Sequence, residues 1–151
     1  MNKPIKRHSA LVSLSRDHYS GLLLSSVLKK DTPDFKNMPV AAVDKVLYVQ
    51  DKYKDELQKH FRAEEEVLFP FVAGRLPEID KLIQELISEH RELETKINSL
   101  NTVSDLVNAL NETGYLLESH IRKEERQLFQ LIQENLTEKE LSVLEKKLGV
   151  S

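Results

Sequence analysis

Apolar residues in this chain recur at the three- and four-residue intervals of a buried helix face, in four long blocks. The clearest block holds Ile79, Ile83, Leu86, His90, Leu93, Ile97 and Leu100, an unbroken 4-3-4-3 spacing that describes one seam of a packed helix. Before it, the same count selects Val43, Val46, Gln50, Tyr53, Leu57, His60, Glu64, Val67 and Phe71. After it come Leu106, Leu110, Thr113, Leu117, His120, Glu124, Gln127 and Leu131. The earliest block is Leu11, Leu14, His18, Gly21, Ser25 and Leu28.

Stop and start signals bound these blocks. The first helix is predicted from Ser9 to Lys30, ahead of the loop that contains Pro33. The second runs from Pro39, a residue suited to a first turn, to Ala73 before Gly74. The third spans Pro77 to Leu100, and the fourth starts near Thr102 or Ser104 and reaches Asn135, with Gly114 as a point of irregularity. A short fifth helix from Thr137 to Leu148 opens on a capping box, Thr137 with Glu140, and ends at Gly149. The expected fold is all-α: an up-down-up-down antiparallel four-helix bundle with a short C-terminal fifth helix, one domain over residues 1–151. The fifth helix carries a Leu141, Leu144 and Leu148 stripe that suits either docking on the bundle or pairing with a second copy, so monomer and homodimer both fit.

What is unusual is the residue type on the seams. His18, His60, His90 and His120 each fall on the inner stripe of a different helix, and Glu64 and Glu124 follow two of them by four residues. An unpartnered buried polar group costs on the order of 1–3 kcal/mol, so six of them in one core need partners. Residues four apart on a helix share a face about 6 Å apart along the axis, so His60 with Glu64, and His120 with Glu124, can each grip one centre. In this topology the second and fourth helices are diagonal and parallel, and His18 and His90 close the site from the other two. Four imidazoles and two carboxylates suit iron, manganese or zinc better than calcium or magnesium. They are too many for one tetrahedral zinc and a natural set for two ions about 3.5–4 Å apart, bridged by the glutamates.

Heights along the helices support one layer in part. His60 lies 13 residues before Ala73 and His90 lies 13 after Pro77, which puts both about 20 Å from their shared turn. His90 is 10 before Leu100 but His120 is 16 after Ser104, a stagger of about 9 Å. A common layer therefore requires a later start to the fourth helix or a distortion near Gly114.

Composition narrows the classes. Gly 4 and Pro 5 allow long helices, and Cys 0 removes disulfides, iron–sulfur clusters and thiol nucleophiles. A net charge of −3 with acids and bases interspersed gives no nucleic-acid footprint. No apolar run nears the roughly 20 residues of a membrane span, and the basic segment Met1 to Arg7 leads into a stretch too short and polar for a signal sequence. A cytoplasmic protein is expected. No histidine has an acid three residues before it, which separates the pattern from ferritin-like Glu-x-x-His bundles, and His-Glu-x-x-His is absent. Glu65 and Glu66 read as solvated acids beside Glu64, Tyr53 as core packing ahead of a donor near the site, and His8 as a surface or lid residue. Gly21 and Ser25 read as residues for close packing ahead of an opening for a small ligand.

The pattern resembles the hemerythrin-like (HHE cation-binding) family over nearly the whole chain. The residues that carry it are Arg16-Asp17-His18, His60-Phe-Arg-Ala-Glu64-Glu-Glu-Val-Leu-Phe-Pro70, Glu89-His90 and His120-Ile-Arg-Lys-Glu124-Glu-Arg-Gln-Leu-Phe129. The resemblance implies a non-heme centre of two iron ions held by His18, His60, Glu64, His90, His120 and Glu124. It further implies binding of oxygen or nitric oxide at an open metal position, in sensing, scavenging or iron handling. Glu94 stands where oxygen carriers have a second histidine, and Glu124 where they have an aspartate. Both features are closer to the bacterial four-histidine subgroup, and they leave Glu94 as an extra ligand, an acceptor for His90 or a rim charge. Two other functions are compatible with the residues: an enzyme turning over peroxide or nitric oxide or donating iron for repair, and a structural bundle whose histidines are inert.

Overall fold

Each seam becomes the inner face of a long helix in the computed structural model, which describes residues 6–149. Helix α1 is Ser9–Leu28. Helix α2 covers 42–72 and is composite: α-helical over Ala42–Lys52, Gln58–Ala63 and Phe69–Val72, with π turns at Tyr53–Leu57 and Glu64–Leu68. Helix α3 is Pro77–Asn98, prolonged by a 3-10 turn at Leu100–Thr102. Helix α4 covers 106–135, with a π turn at Glu124–Leu128 between Leu106–Lys123 and Phe129–Asn135. Helix α5 is Glu138–Gly149. Among the described residues there is no strand, and the architecture is the expected all-α bundle with a short C-terminal helix. No helix among them is long and apolar enough to cross a membrane. Residues 1–5, most of the basic N-terminal segment, and the last two residues of the expected single domain lie outside the described part.

Local chemistry sets the helix ends. The His8 ring accepts from the Ala10 amide at 2.9 Å to cap α1, and its other nitrogen meets Glu138 at 2.9 Å, tying the start of α1 to α5. Helix α2 begins three residues later than Pro39. Asn37 adopts a left-handed conformation (φ 65°) and Ala41, just ahead of the helix, is extended, so the proline serves the approach instead of the first turn. Helix α4 begins at Leu106 because the Asp105 carboxylate accepts from the Asn108 amide at 3.3 Å. The capping box forms as expected, with Thr137 and Glu140 bonded reciprocally at 2.9 and 3.1 Å. Gly74 takes φ 82° in the turn between α2 and α3, where a side chain would be strained.

The seams of α1 and α3 are buried as predicted, from Leu11 to Leu28 and from Ile79 to Leu100. That of α2 is off by one ahead of its first π turn, where Val49 and not Gln50 is buried. From Tyr53 in α2 and Leu110 in α4 the seams hold as far as the glutamates and then slip by one residue. Leu68 and Val72 are fully buried where Val67 and Phe71 were expected, and Leu128 and Ile132 where Gln127 and Leu131 were expected. The cause is the extra residue in each π turn, which rotates everything beyond it by one position. Pro70 follows the first of these turns, but Gln130 holds the matching place after the other, so the proline is not what creates them. At the outer end of α2, Val43 is 68% exposed because the helix has only just begun there.

The apolar core falls into two clusters. One contains Leu11, Leu14, Leu68, Phe69, Ile79, Leu86, Leu128 and Phe129, and α5 closes it with Leu141, Leu144 and Leu148. The other holds Leu24, Leu28, Val49, Leu57, Phe61, Leu93, Ile97, Leu110 and Leu117. The stripe on α5 is thus spent on docking within the chain. Between the clusters along every long helix stands a histidine.

Candidate metal centre

His18, His60, His90, His120, Glu64 and Glu124 are all buried, the two carboxylates completely. Their inward atoms form two four-residue groups, one from His18, His60, Glu64 and Glu124, the other from Glu64, His90, His120 and Glu124. Within each group the donor atoms lie within 4.8 Å of one another, a spread that could hold a metal ion. Both glutamates belong to both groups. Glu124 places Oε2 at 3.0 Å from His18 Nε2 and Oε1 at 2.9 Å from His120 Nε2. Glu64 places Oε1 at 3.1 Å from His90 Nε2 and Oε2 at 3.3 Å from His60 Nε2.

The stagger between α3 and α4 is resolved at their turn. Counted from the end of the 3-10 turn at Thr102 and from Leu106, His90 and His120 lie 12 and 14 residues down, and their ring centroids are 4.8 Å apart. Gly114 distorts nothing: α4 runs regularly through it, and a side chain there would strike the Ser25 carbonyl at 2.6 Å. It lets α1 and α4 approach closely.

Four more carboxylates hold the outer edges of the rings. Nδ1 of His60 meets Asp17 at 2.9 Å, that of His90 meets Glu65 at 2.7 Å, that of His120 meets Glu89 at 2.8 Å and that of His18 meets Glu125 at 2.8 Å. Each bond joins neighbouring helices, and together they circle the bundle. A carboxylate at Nδ1 keeps the proton there and leaves the Nε2 lone pair facing inward, the usual support for a metal-ligating imidazole. The expectation that Glu65 is a solvated acid is thereby corrected, while Glu66 is exposed. The signal for all four was present as acids adjacent in sequence to the inner residues: Asp17-His18, Glu89-His90, Glu64-Glu65 and Glu124-Glu125. An internal repeat was also present. Residues 60–69 and 120–129 share His, Arg, Glu, Glu, Leu and Phe at the same places, and Phe69 and Phe129 stack alike on His90 and His18, with centroids 6.1 and 5.6 Å away.

Glu94 and Tyr53 stand apart from both groups. Burial, with the nearby Glu94 carboxylate adding to it, pushes the Tyr53 hydroxyl up to about 12. His8 is likewise remote, engaged with Glu138.

The donor set fits a cation on two counts. Glu64 Oε1 and Oε2, Glu124 Oε1, His90 Nε2 and His120 Nε2 are buried without a hydrogen-bond partner, close together yet aimed at common points and not along one another's bonds. The layer also draws positive charge. Burial opposes protonation of His18, but bonds to Glu124 and Glu125 outweigh it and lift its pKa to about 9. Burial likewise opposes charge on His120, yet Glu124 and Glu89 lift it to about 9, and Glu64 and Asp17 raise His60 well above its ordinary value. Glu124 remains far below the usual carboxylate range despite its burial, held there by contacts with Glu64, His120 and His18. Divalent cations would satisfy the same negative field.

A helical bundle with an enclosed layer of imidazoles and carboxylates is a fold built around a cation site. A sequence model of the hemerythrin HHE cation-binding domain matches residues 8–132. The chain belongs to that family, and α5 lies beyond the matched segment. Comparison with curated proteins gives no match, and neither does comparison with solved structures.

Proposed function

We propose that this protein carries a non-heme centre of two iron ions, bridged by Glu64 and Glu124, and takes up oxygen or nitric oxide at an open metal position. One ion would rest on His18 and His60, the other on His90 and His120. The observation that carries the reading is the sharing of both glutamates by two otherwise separate donor groups. Four donors per ion leave coordination positions free, and the nitrogen-rich set suits iron, with manganese or zinc as the competing occupants. Bound iron would supply reversible redox change and a position for a small ligand.

The chain's own residues would orient and shield. Carboxylates at each Nδ1 fix the rings, and Phe61 lies flat on His90 with centroids 3.9 Å apart. Beside His18, His60 and His120 a cavity of about 30 Å³ is walled by Gly21, Leu24, Leu57, Leu117 and Ile121. That space holds about two water-sized molecules, so it suits a diatomic ligand. Gly21 serves packing and access together: a side chain there would meet Ile121 Cδ1 at 2.7 Å, and the residue also lines this cavity.

Metal analysis combined with the optical spectrum of the oxidised protein tests the reading. Two irons per chain with ligand-to-metal charge-transfer bands are expected, and protein purified from iron-replete cells without metal would return the bundle to a purely structural role. Stopped-flow mixing with nitric oxide or peroxide then separates binding from catalysis. Stoichiometric uptake without turnover is the expected outcome, and sustained consumption would make it an enzyme.

A further inference from the structure

The ring of carboxylates around the four histidines is uneven at one place. Glu65 is clasped by Arg91, Glu89 by Lys123 at 2.5 Å and Glu125 by Arg7 at 3.3 Å, and the side chains of all three are at most 28% exposed. Asp17 differs in every respect. Its side chain is 57% exposed, it is one carbon shorter than its counterparts, and among the described residues no lysine or arginine pairs with it. Its one bond is to His60, which at 6% is the most exposed of the four inner histidines.

His60 is also where solvent comes nearest. The cavity, which also touches His18 and His120, reaches it from one side. A surface groove that includes Asp55, Glu56 and Lys59, and touches none of the other three inner histidines, reaches it from the other; Asp17 borders both. By contrast His90 is sealed by Phe61 and by fully buried Leu93. Residue 93 is three beyond His90, as Gly21 is three beyond His18, so one side of the bundle carries a leucine where the other carries only a glycine, with the tip of Ile121 beside it and the cavity next to it.

We infer that Asp17 and His60 form the port through which one ion of the pair exchanges with solution. Resting on the two-ion reading above, this makes the pair unequal. His60, anchored only through Asp17, would swing toward the groove and open the place it shares with His18. His90 and His120, tied through Glu65 and Glu89 to Arg91 and Lys123, would keep their inward pose. Asp17 is a positioning residue: it sets how long His60 keeps its inward pose. The groove holds Asp17, Asp55 and Glu56 against Lys59, and although Glu56 is paired with Lys52 at 2.9 Å, the excess of acids along it favours the approach of a cation.

The test uses the full chain loaded anaerobically with ferrous iron, its stoichiometry measured first, then mixed with excess ferrous chelator. Release is expected in two phases of equal amplitude. Asp17→Asn should quicken the fast phase by about tenfold, the lower end of what loss of a supporting carboxylate does to metal binding, and leave the slow phase unchanged. Asp17→Glu, which installs the residue type used at the other three places, should restore the slower rate. Glu89→Gln should quicken the slow phase instead. Circular dichroism of each variant confirms that the bundle is intact. Fewer than two irons before chelation would overturn the two-ion reading and this inference with it. Two irons released in a single phase, or two phases that Asp17→Asn leaves alone or accelerates equally, would overturn this inference and leave the reading standing.

Discussion

Glu65 Oε2 lies 2.7 Å from Nδ1 of His90, one residue along the chain from a glutamate that faces the opposite edge of the same ring. Glu124 and Glu125 do the same to His18, at 3.0 and 2.8 Å. Both of these pairs of consecutive acids, each gripping the two edges of one imidazole, open π turns. Such turns are frequent at functional sites, and here they turn a helix face into a support for a ring on its neighbour.

Glu65→Gln follows directly. The amide keeps the shape but not the charge, so the His90 ring loses its preference for presenting Nε2 inward. Metal affinity should fall 10- to 100-fold, roughly the range for such supporting residues, in a chelator competition assay. Arg91, left without its partner, is exposed and costs little. Unaltered affinity would show that the bond is incidental.

The metal-free protein should lose stability as pH rises from about 6.5 to about 9. In the unfolded chain the imidazoles titrate near their ordinary 6.5, while in the fold His18 and His120 titrate at about 9. Their contribution is therefore whole below 6.5 and disappears as pH climbs through 9. Metal-loaded protein should show the opposite trend over the same window, since ions compete with protons for these nitrogens. Thermal midpoints with and without chelator check both halves, and a metal-free midpoint that rises with pH contradicts them.

The two glycines of the α1–α4 contact should respond differently to alanine. At Gly114 the new carbon meets the Ser25 carbonyl at 2.6 Å and Leu28 Cβ at 3.2 Å, and backbone cannot step aside. Gly114→Ala should destabilise by about 1–2 kcal/mol, overpacking outweighing the gain in helix propensity. At Gly21 the obstacle is the tip of Ile121, which can rotate. Gly21→Ala should leave stability within about 1 kcal/mol while slowing nitric oxide uptake by the iron-loaded protein. Denaturant unfolding and stopped-flow binding distinguish the pair, and equal losses of stability would refute the contrast.

Helix α5 should be needed for the fold although it lies outside the family match. Leu144 is fully buried in the core cluster that contains Leu11, Leu68 and Leu128. Leu144→Ala should cost about 2–5 kcal/mol in chemical unfolding, the range for emptying a buried leucine site. A loss below about 0.5 kcal/mol would mean the helix is loosely held.

How much of this was legible beforehand depends on the residue. Ile79 to Leu100 and Leu11 to Leu28 could be placed from spacing alone, because an unbroken α-helix repeats its inner face without reference to anything else. The inward position of His18, His60, His90 and His120 followed from that same periodicity. Leu68 and Leu128 could not be placed so, since a π turn looks like any other turn in a local window and its extra residue is imposed by what surrounds it.

Periodicity, composition and the polar residues on four seams determined an all-α bundle with a layer of imidazoles and carboxylates inside it. Those are properties of one helix at a time, and local spacing is sufficient to express them. Tertiary structure alone decided that Asp17, Glu65, Glu89 and Glu125 each serve a histidine on the next helix, and that His60 sits at the thin edge of the layer. Those pairings arise between side chains brought together from distant parts of the chain, where distance in space and access of water set the outcome and order in sequence does not.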